Sequence, residues 1–557
     1  MADGFTIVGC IFERSNGAVQ EAGVFPDLSG MRDFERLCQH LVHSAWGAYV
    51  LLGRGKERPG GVDVFRDPIG MLDAFTWRSG SVRLIGSHPE QWLDICPADD
   101  VAIDWPRIAE LLAFPGSVAE ASALHGVDAV PAGVHMHMDT FGAGRSRRFW
   151  SPVDYCQSRS VDASAEALAD VVDSCVGRWR RSYDMIASEV SGGLDSAIVA
   201  ASGGRNAPRI QAAFNFFSGD AGGDERSYAR AVCEYLSISL RETECDVRGF
   251  NVDDVSDMPI GVRPGLGSVS LFHDRKLARE LSEFGADAML TGQGGDAVFF
   301  QPATPLVASD QGLTRLLSSP TTLMDIARWT RVPVWPLLKQ ALRSAAAHKA
   351  FSVPPNGMPA CMPVKPGKPH YDWLSGAEHL PPAKQLQIWA LINSRAAFGP
   401  SWCSSVVEVI HPLMSQPLVE HVLGLSTLQL TEGRRNRGLA RRAFAGRLPR
   451  VVIDRTGKGA LTFHFGRRLA RSSRFLRSFL LDGLLAAKGI VDPNALEAVL
   501  TSQALMQSDV YSELLTMILL EQWVRTWQAR LEDISSRSWG SCGSAADRVS
   551  RRWASNQ

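Results

Sequence analysis

The sequence predicts two units of mixed structure, an α+β unit over residues 1–155 and a doubly wound parallel α/β unit over 156–535. Three observations carry this. Short apolar runs broken by Gly and Pro crowd the first unit, as in Ala48-Tyr49-Val50-Leu51-Leu52, Val62-Asp63-Val64-Phe65 and Val82-Arg83-Leu84-Ile85. Helical spacing at Ala165, Leu168, Val171 and Val172 then alternates with strand-like runs, the run at 210–217 preceding a helix that bears Tyr228, Ala229 and Val232. Finally, apolar runs at 185–190 and 286–290 each pass into a glycine-rich polar loop, where open α/β sheets collect ligands.

Length and charge bound the rest. A chain of 557 residues exceeds one hydrophobic core, and 45% hydrophobic content suffices for two. A net charge of −1 supplies no global field for nucleic acid or an anionic membrane. The start, Met1-Ala2-Asp3-Gly4-Phe5, has no basic segment followed by an apolar one, and no uncharged apolar run nears the roughly eighteen residues of a membrane span. A cytoplasmic protein with neither nucleic-acid nor membrane partners is expected. Its ten cysteines form no C-x-x-C pair, so they read as core residues. Residues 536–557, rich in Ser, Arg and Gly, read as a flexible tail.

The loop Ser191-Gly192-Gly193-Leu194-Asp195-Ser196 is built like an anion cradle: glycines allow close backbone approach, hydroxyls donate, and a helix N-terminus follows. Pyrophosphate is the expected guest. No Gly-Lys-Ser/Thr follows at Walker spacing. Instead the string resembles the PP-loop of the ATP pyrophosphatases, which split ATP between the α and β phosphates. The second loop, Thr291-Gly292-Gln293-Gly294-Gly295-Asp296, should line the same crevice, so that Asp195 and Asp296 can share Mg²⁺ with a triphosphate. A helix N-cap is the alternative role for Asp296.

In the first unit, Arg66-Asp67-Pro68-Ile69-Gly70, Ala74-Phe75-Thr76-Trp77, Ile85-Gly86-Ser87-His88-Pro89-Glu90 and Val130-Pro131-Ala132-Gly133 resemble, in order, segments of class II glutamine amidotransferase domains. The nucleophile of those domains is an N-terminal cysteine, whereas this sequence starts Met1-Ala2 and Cys10 sits inside a strand-like run. A degenerate amidotransferase-like scaffold without glutamine hydrolysis is therefore expected.

Together, S-G-G-L-D-S and G-x-G-x-D behind such a unit resemble the asparagine synthetase family. The resemblance implies ATP contacts at Glu189 (through its backbone), Ser191, Gly192, Gly193, Leu194, Asp195, Ser196, Phe216, Thr291 and Gly292, with magnesium at Asp195 and Asp296. It also places Gln293 beside the attacking nitrogen. Glutamate holds ammonia there in asparagine synthetases, and tyrosine helps deprotonate an amine in β-lactam synthetases; an amide can orient a partner but cannot take its proton.

A third block runs His411-Pro412-Leu413-Met414-Ser415-Gln416-Pro417-Leu418-Val419-Glu420, where the family has P-F-L-D. It continues through a basic stretch from Arg434 to Arg455-Thr456-Gly457-Lys458-Gly459, most of whose arginines read as a solvated face. Lys458 stands three after Arg455, the family's R-x-x-K spacing, which implies stabilisation of adenylate or pyrophosphate charge. The wording of this block is similar to the lasso peptide macrolactam synthetases. That likeness implies adenylation of an Asp or Glu side chain in a precursor peptide, ring closure by the peptide's α-amine, a wide cleft between the units, and a leader peptidase or leader-binding protein as partner. Candidate walls are 353–359 and 261–267, and His273 and Trp402 are possible contacts outside the main site set. Another amide ligase of asparagine or β-lactam type and a non-catalytic maturation subunit are the alternative readings.

Overall fold

Strand pairing builds two five-stranded sheets of opposite character. The computed structural model describes residues 4–14, 33–54, 61–139, 143–156, 161–204, 207–219, 223–245, 248–249, 251–266, 271–310, 318–346, 352–353, 355, 358–457, 462–507 and 510–536. In the first unit the strands are β1 (Phe5–Glu13), β2 (Ala45–Arg54), β3 (Val62–Arg66), β4 (Phe75–Ser79), β5 (Val82–Gly86), β6 (Ala102–Ile103), β7 (Leu124–His125), β8 (Val127–Ala129), β9 (Val134–Met138) and β10 (Ala143–Arg148). They form an antiparallel five-stranded sheet, β1-β2-β3-β9-β10, a three-stranded one, β5-β4-β8, and the pair β6-β7. Helix Phe34–Ser44 buries Phe34, Leu37, Cys38, Leu41 and Val42, one face at helical spacing, and Asp33 caps its start. The unit is α+β, as expected.

The R-D-P-x-G run is a closed turn. Asp67 accepts from the N–H groups of Ile69, Gly70, Met71 and Leu72, while Arg66 donates to the carbonyls of Gly70, Leu72 and Val130 and to Asp73. Cys10 pairs with Ala48 across β1 and β2, and burial, with Glu408 nearby, raises its thiol pKa. It is no ready nucleophile.

The second sheet is parallel throughout. Its strands β11 (Ile186–Glu189), β12 (Ala212–Phe217), β13 (Leu240–Glu244), β14 (Ala288–Leu290) and β15 (Glu408–Ile410) lie in the order β13-β12-β11-β14-β15. Helices Leu194–Ala201, Arg226–Leu236 and Leu271–Phe284 alternate with the strands, which is the expected α/β alternation on a parallel sheet. The order reverses between β11 and β14, and both predicted loops leave the sheet there.

Two expectations need correction. The units meet through buried groups: Trp150 packs on Trp373 at 5.2 Å, and its indole N–H finds a buried partner in Glu420 at 2.8 Å. Glu420 also takes Arg14 through both carboxylate oxygens at 2.6 and 2.9 Å and the Gln416 amide at 2.7 Å. The S-Q-P-L-V-E string is thus an anchor between the units, and one core cluster spans both, so their described residues pack together where a wide cleft was expected. Last, helix Tyr511–Ser536 extends through the first residue assigned to the tail, and 537–557 lie outside the described residues. No helix among the described residues is long and apolar enough to cross a membrane.

Candidate active site

The first loop follows β11 and opens helix Leu194–Ala201. Because the cap residue is Gly193, no side chain takes the N–H groups of the first turn. The Ser191 and Ser196 hydroxyls lie 3.2 Å apart across the loop, and Asn215 donates to the Val190 carbonyl at 2.8 Å.

The second loop abuts the first, backbone against backbone. A Cβ on Gly292 would stand 2.5 Å from the Ser196 nitrogen, and one on Gly295 would stand 2.5 Å from Asp195 Cβ, so both positions admit only glycine. This contact brings Asp195 and Asp296 together.

Arg437 joins them. Its Nη1 donates to Asp195 Oδ2 at 2.5 Å and to Asp296 Oδ1 at 3.0 Å, which puts those two oxygens no more than 5.5 Å apart. The Asp195 side chain is 12% exposed and that of Asp296 53%, so the pair runs from the protein interior to the cavity mouth. The Gln301 amide, turned so that its nitrogen donates, also reaches Asp296. Two carboxylate oxygens converging on one arginine nitrogen are the hard donors that a small divalent cation held jointly with phosphate oxygens would need. Among the described residues no group of three or more His, Cys, Asp or Glu side chains is arranged to hold a metal alone.

A cavity of about 1030 Å³ opens over both loops. Glu189, Ser191, Gly193, Leu194, Asp195, Ser196, Phe216, Thr291, Gly292, Gln293 and Asp296 all line it. Gly192 does not; its carbonyl accepts from Nη1 of the lining residue Arg455 at 3.1 Å. Lys458 lies outside the described residues, one position beyond the lining residue Gly457. His273 lines the cavity stacked on Phe216 at 4.6 Å, whereas Trp402 lies under Arg275, away from it. Of the two candidate walls, Gly265 reaches the cavity, while Arg263 instead pairs with Asp73 of the first unit; none of the described residues of 353–359 reaches it.

Sequence reasoning missed the roles of four residues here. Arg437 and Arg441 are buried, contrary to a solvated basic face, because carboxylates and carbonyls receive them; Arg441 donates to Ile453 O at 2.5 Å. Arg455 pairs with Glu225 and covers the Tyr228 ring at 4.0 Å, which ties the R-x-x-K segment to the first loop. His411 sits buried beside Thr291, its Nδ1 2.7 Å from Oγ1, and burial lowers its pKa to about 4. The imidazole is therefore neutral near pH 7. Its bond to the Ala397 backbone requires a ring N–H, so Nδ1 accepts from Thr291, whose oxygen accepts in turn from the Gln293 N–H at 3.2 Å. Only the position of His411 at the end of β15 could have flagged it.

The asparagine synthase family model matches residues 167–353 and 402–525, together 311 of 557. The chain belongs to the asparagine synthase family. Members of that family are ATP-dependent amide ligases. No curated protein matches the sequence. Among solved structures, one described as the allosteric regulatory enzyme of purine biosynthesis is similar at 13% identity over 47% of this chain and 60% of that one, with a TM-score of 0.16. A likeness at that level carries no argument about this asparagine synthase-family chain.

Proposed function

We propose that this chain is an AMP-forming macrolactam synthetase that closes an isopeptide ring in a lasso-type precursor peptide. The observation that carries the reading is the meeting of two parallel-strand loops at the switch point, where Asp195 and Asp296 converge within 5.5 Å over a cavity of about 1030 Å³. That volume sits at the top of the roughly 300–1,000 Å³ that holds one drug-sized ligand, leaving room for a peptide end beside a nucleotide.

In the proposed reaction a side-chain carboxylate oxygen attacks the α-phosphorus of ATP and pyrophosphate leaves. The peptide's α-amine then attacks the acyl carbon, loses a proton, and AMP leaves. Ser191, Gly193, Leu194 and Ser196 with the helix N-terminus cradle pyrophosphate, Thr291 and Gly292 complete the nucleotide site with the Glu189 backbone, and the Phe216–His273 stack flanks the base. Asp195 and Asp296 would hold Mg²⁺, which supplies neutralisation of phosphate charge. Lys458 is assigned to the departing charge and Gln293 to orienting the amine. The first unit acts as an amidotransferase-like scaffold.

Two features favour a peptide substrate over free aspartate. Trp389, Ala390, Asn393 and Ser394 line the cavity yet belong to 354–401, the stretch the family model passes over, so this wall is the chain's own. In addition, the block from Pro412 to Arg441 reads like the macrolactam synthetases. A leader-binding protein is proposed as partner on that likeness alone. The test is to supply ATP, Mg²⁺ and synthetic peptides with a free α-amine and a side-chain carboxylate at varied spacing. A product lighter by one water, formed with stoichiometric AMP and pyrophosphate, is expected. AMP formation driven by aspartate and ammonium, and by no peptide, overturns the reading.

A further inference from the structure

Arg437 does more than neutralise two carboxylates. Its backbone is left-handed at φ 54° and ψ 33°, a conformation that disfavours a residue with a Cβ. The strain is held from both sides: the Arg437 N–H donates to the Phe300 carbonyl, itself on a left-handed residue at φ 60°, and the Arg437 carbonyl accepts from Arg441 at 2.9 Å. Strain kept in this way marks a position that the surrounding structure over-determines. The guanidinium is also only partly engaged. Nη1 makes both carboxylate contacts, whereas Nε, buried in a side chain 8% exposed, has no hydrogen-bond partner among the described residues. A buried N–H left in this way is costly unless a ligand takes it.

We infer that Arg437 is an exchangeable counter-cation, which occupies the Asp195 and Asp296 oxygens until a metal–nucleotide complex arrives and then turns its unused N–H groups onto the phosphates. The chemistry follows from competition. A divalent cation needs the same oxygens and repels a guanidinium beside them, so it displaces Arg437 readily only when an anion takes the arginine in exchange. Metal alone binds weakly, and metal and nucleotide enter together. This inference rests on the proposed reading of Asp195 and Asp296 as metal ligands.

The test is Mn²⁺ binding to the full chain, followed by electron paramagnetic resonance with and without α,β-methylene ATP, which cannot be split between the α and β phosphates. Wild type should take Mn²⁺ weakly alone and tightly with the analogue. In Arg437→Met, Mn²⁺ alone should bind about tenfold tighter or more, as expected when a like charge is removed at contact range, and the gain from the analogue should shrink. Arg437→Gly, which accepts the left-handed backbone without strain, should behave likewise and melt at a higher temperature when Mn²⁺ alone is added. Unchanged or weaker Mn²⁺ affinity in either folded variant overturns the inference, as does a wild type that binds Mn²⁺ equally well without nucleotide. Asp296→Asn separates the two claims. If it loses Mn²⁺ while Arg437→Met changes nothing, only the exchange fails; if no form holds Mn²⁺ even with the analogue, the metal reading fails and takes the exchange with it.

Discussion

Two aspartates, each in a glycine-containing turn at a strand end, have opposite fates in this molecule. Asp67 follows β3 and gives both carboxylate oxygens to four backbone N–H groups of its own turn, with nothing left for a ligand. Asp195 follows β11 and points away from its loop, toward Arg437, Asp296 and the cavity. The sheets explain the contrast. After β3 the chain crosses to β4 of a second sheet through a turn closed on its own N–H groups, whereas the parallel strand β11 sends the chain into a helix whose open N–H groups face the crevice. A closed turn is scaffold, and an open one is available for chemistry.

That contrast is broken most sharply by exchanging the consequences. Asp195→Ala should lower ATP-to-AMP conversion about a thousandfold or more, as loss of an electrostatic element at developing charge does, with a smaller loss of stability than at Asp67 because Arg437 keeps Asp296. Full turnover in the variant would remove Asp195 from the site. Asp67→Ala should do the reverse. Four N–H groups lose their acceptor at a fully buried position, so stability should fall by about 3 kcal/mol or more in urea unfolding while residual activity at low temperature persists.

The acid side of the stability curve sharpens the same point. Burial holds His411 at about 4, below its ordinary 6.5, so the fold favours the neutral ring. That contribution is complete above pH 6.5 and is lost as pH falls from there toward 4, up to roughly 3 kcal/mol in all. Denaturant midpoints for wild type should drop through that window, and His411→Gln should flatten the drop. Next in size is Arg455→Met, which frees the Gly192 carbonyl and leaves Glu225 without its guanidinium; kcat/KM for ATP should fall about tenfold, chiefly through KM, because Arg455 braces the loop without touching the cavity's anion donors.

Much of this was legible beforehand. Apolar runs ending in S-G-G-L-D-S and T-G-Q-G-G-D specify strands that deliver two loops to one crevice, and the structure puts nearly every residue of those loops there. What escaped was the set of partners arriving from far along the chain. Arg437 is 242 positions from Asp195 and sits in a run of similar arginines, so only the tertiary fold separates it from exposed Arg434 and Arg442. Glu420 likewise stands at the end of a family-like motif, and its work is to hold Arg14 and Trp150 across the junction. Polar residues near a motif in sequence are as readily structural anchors as reacting groups, and burial decides which.

The smallest expected effect tests the open turn at its outer edge. Gln293 is exposed, and its backbone N–H donates to Thr291 Oγ1. Replacing the side chain should therefore move stability by no more than about 0.5 kcal/mol. Its effect belongs to the acceptor instead. Gln293→Glu introduces a carboxylate that can hold an ammonium ion, and so should raise AMP formation with ammonium while lowering it with a peptide amine by a factor of a few, about 1 kcal/mol of differential binding. A change in stability without a change in that ratio would mean the second loop is closed like the turn at Asp67, and the distinction between the two turns would end at Asp195.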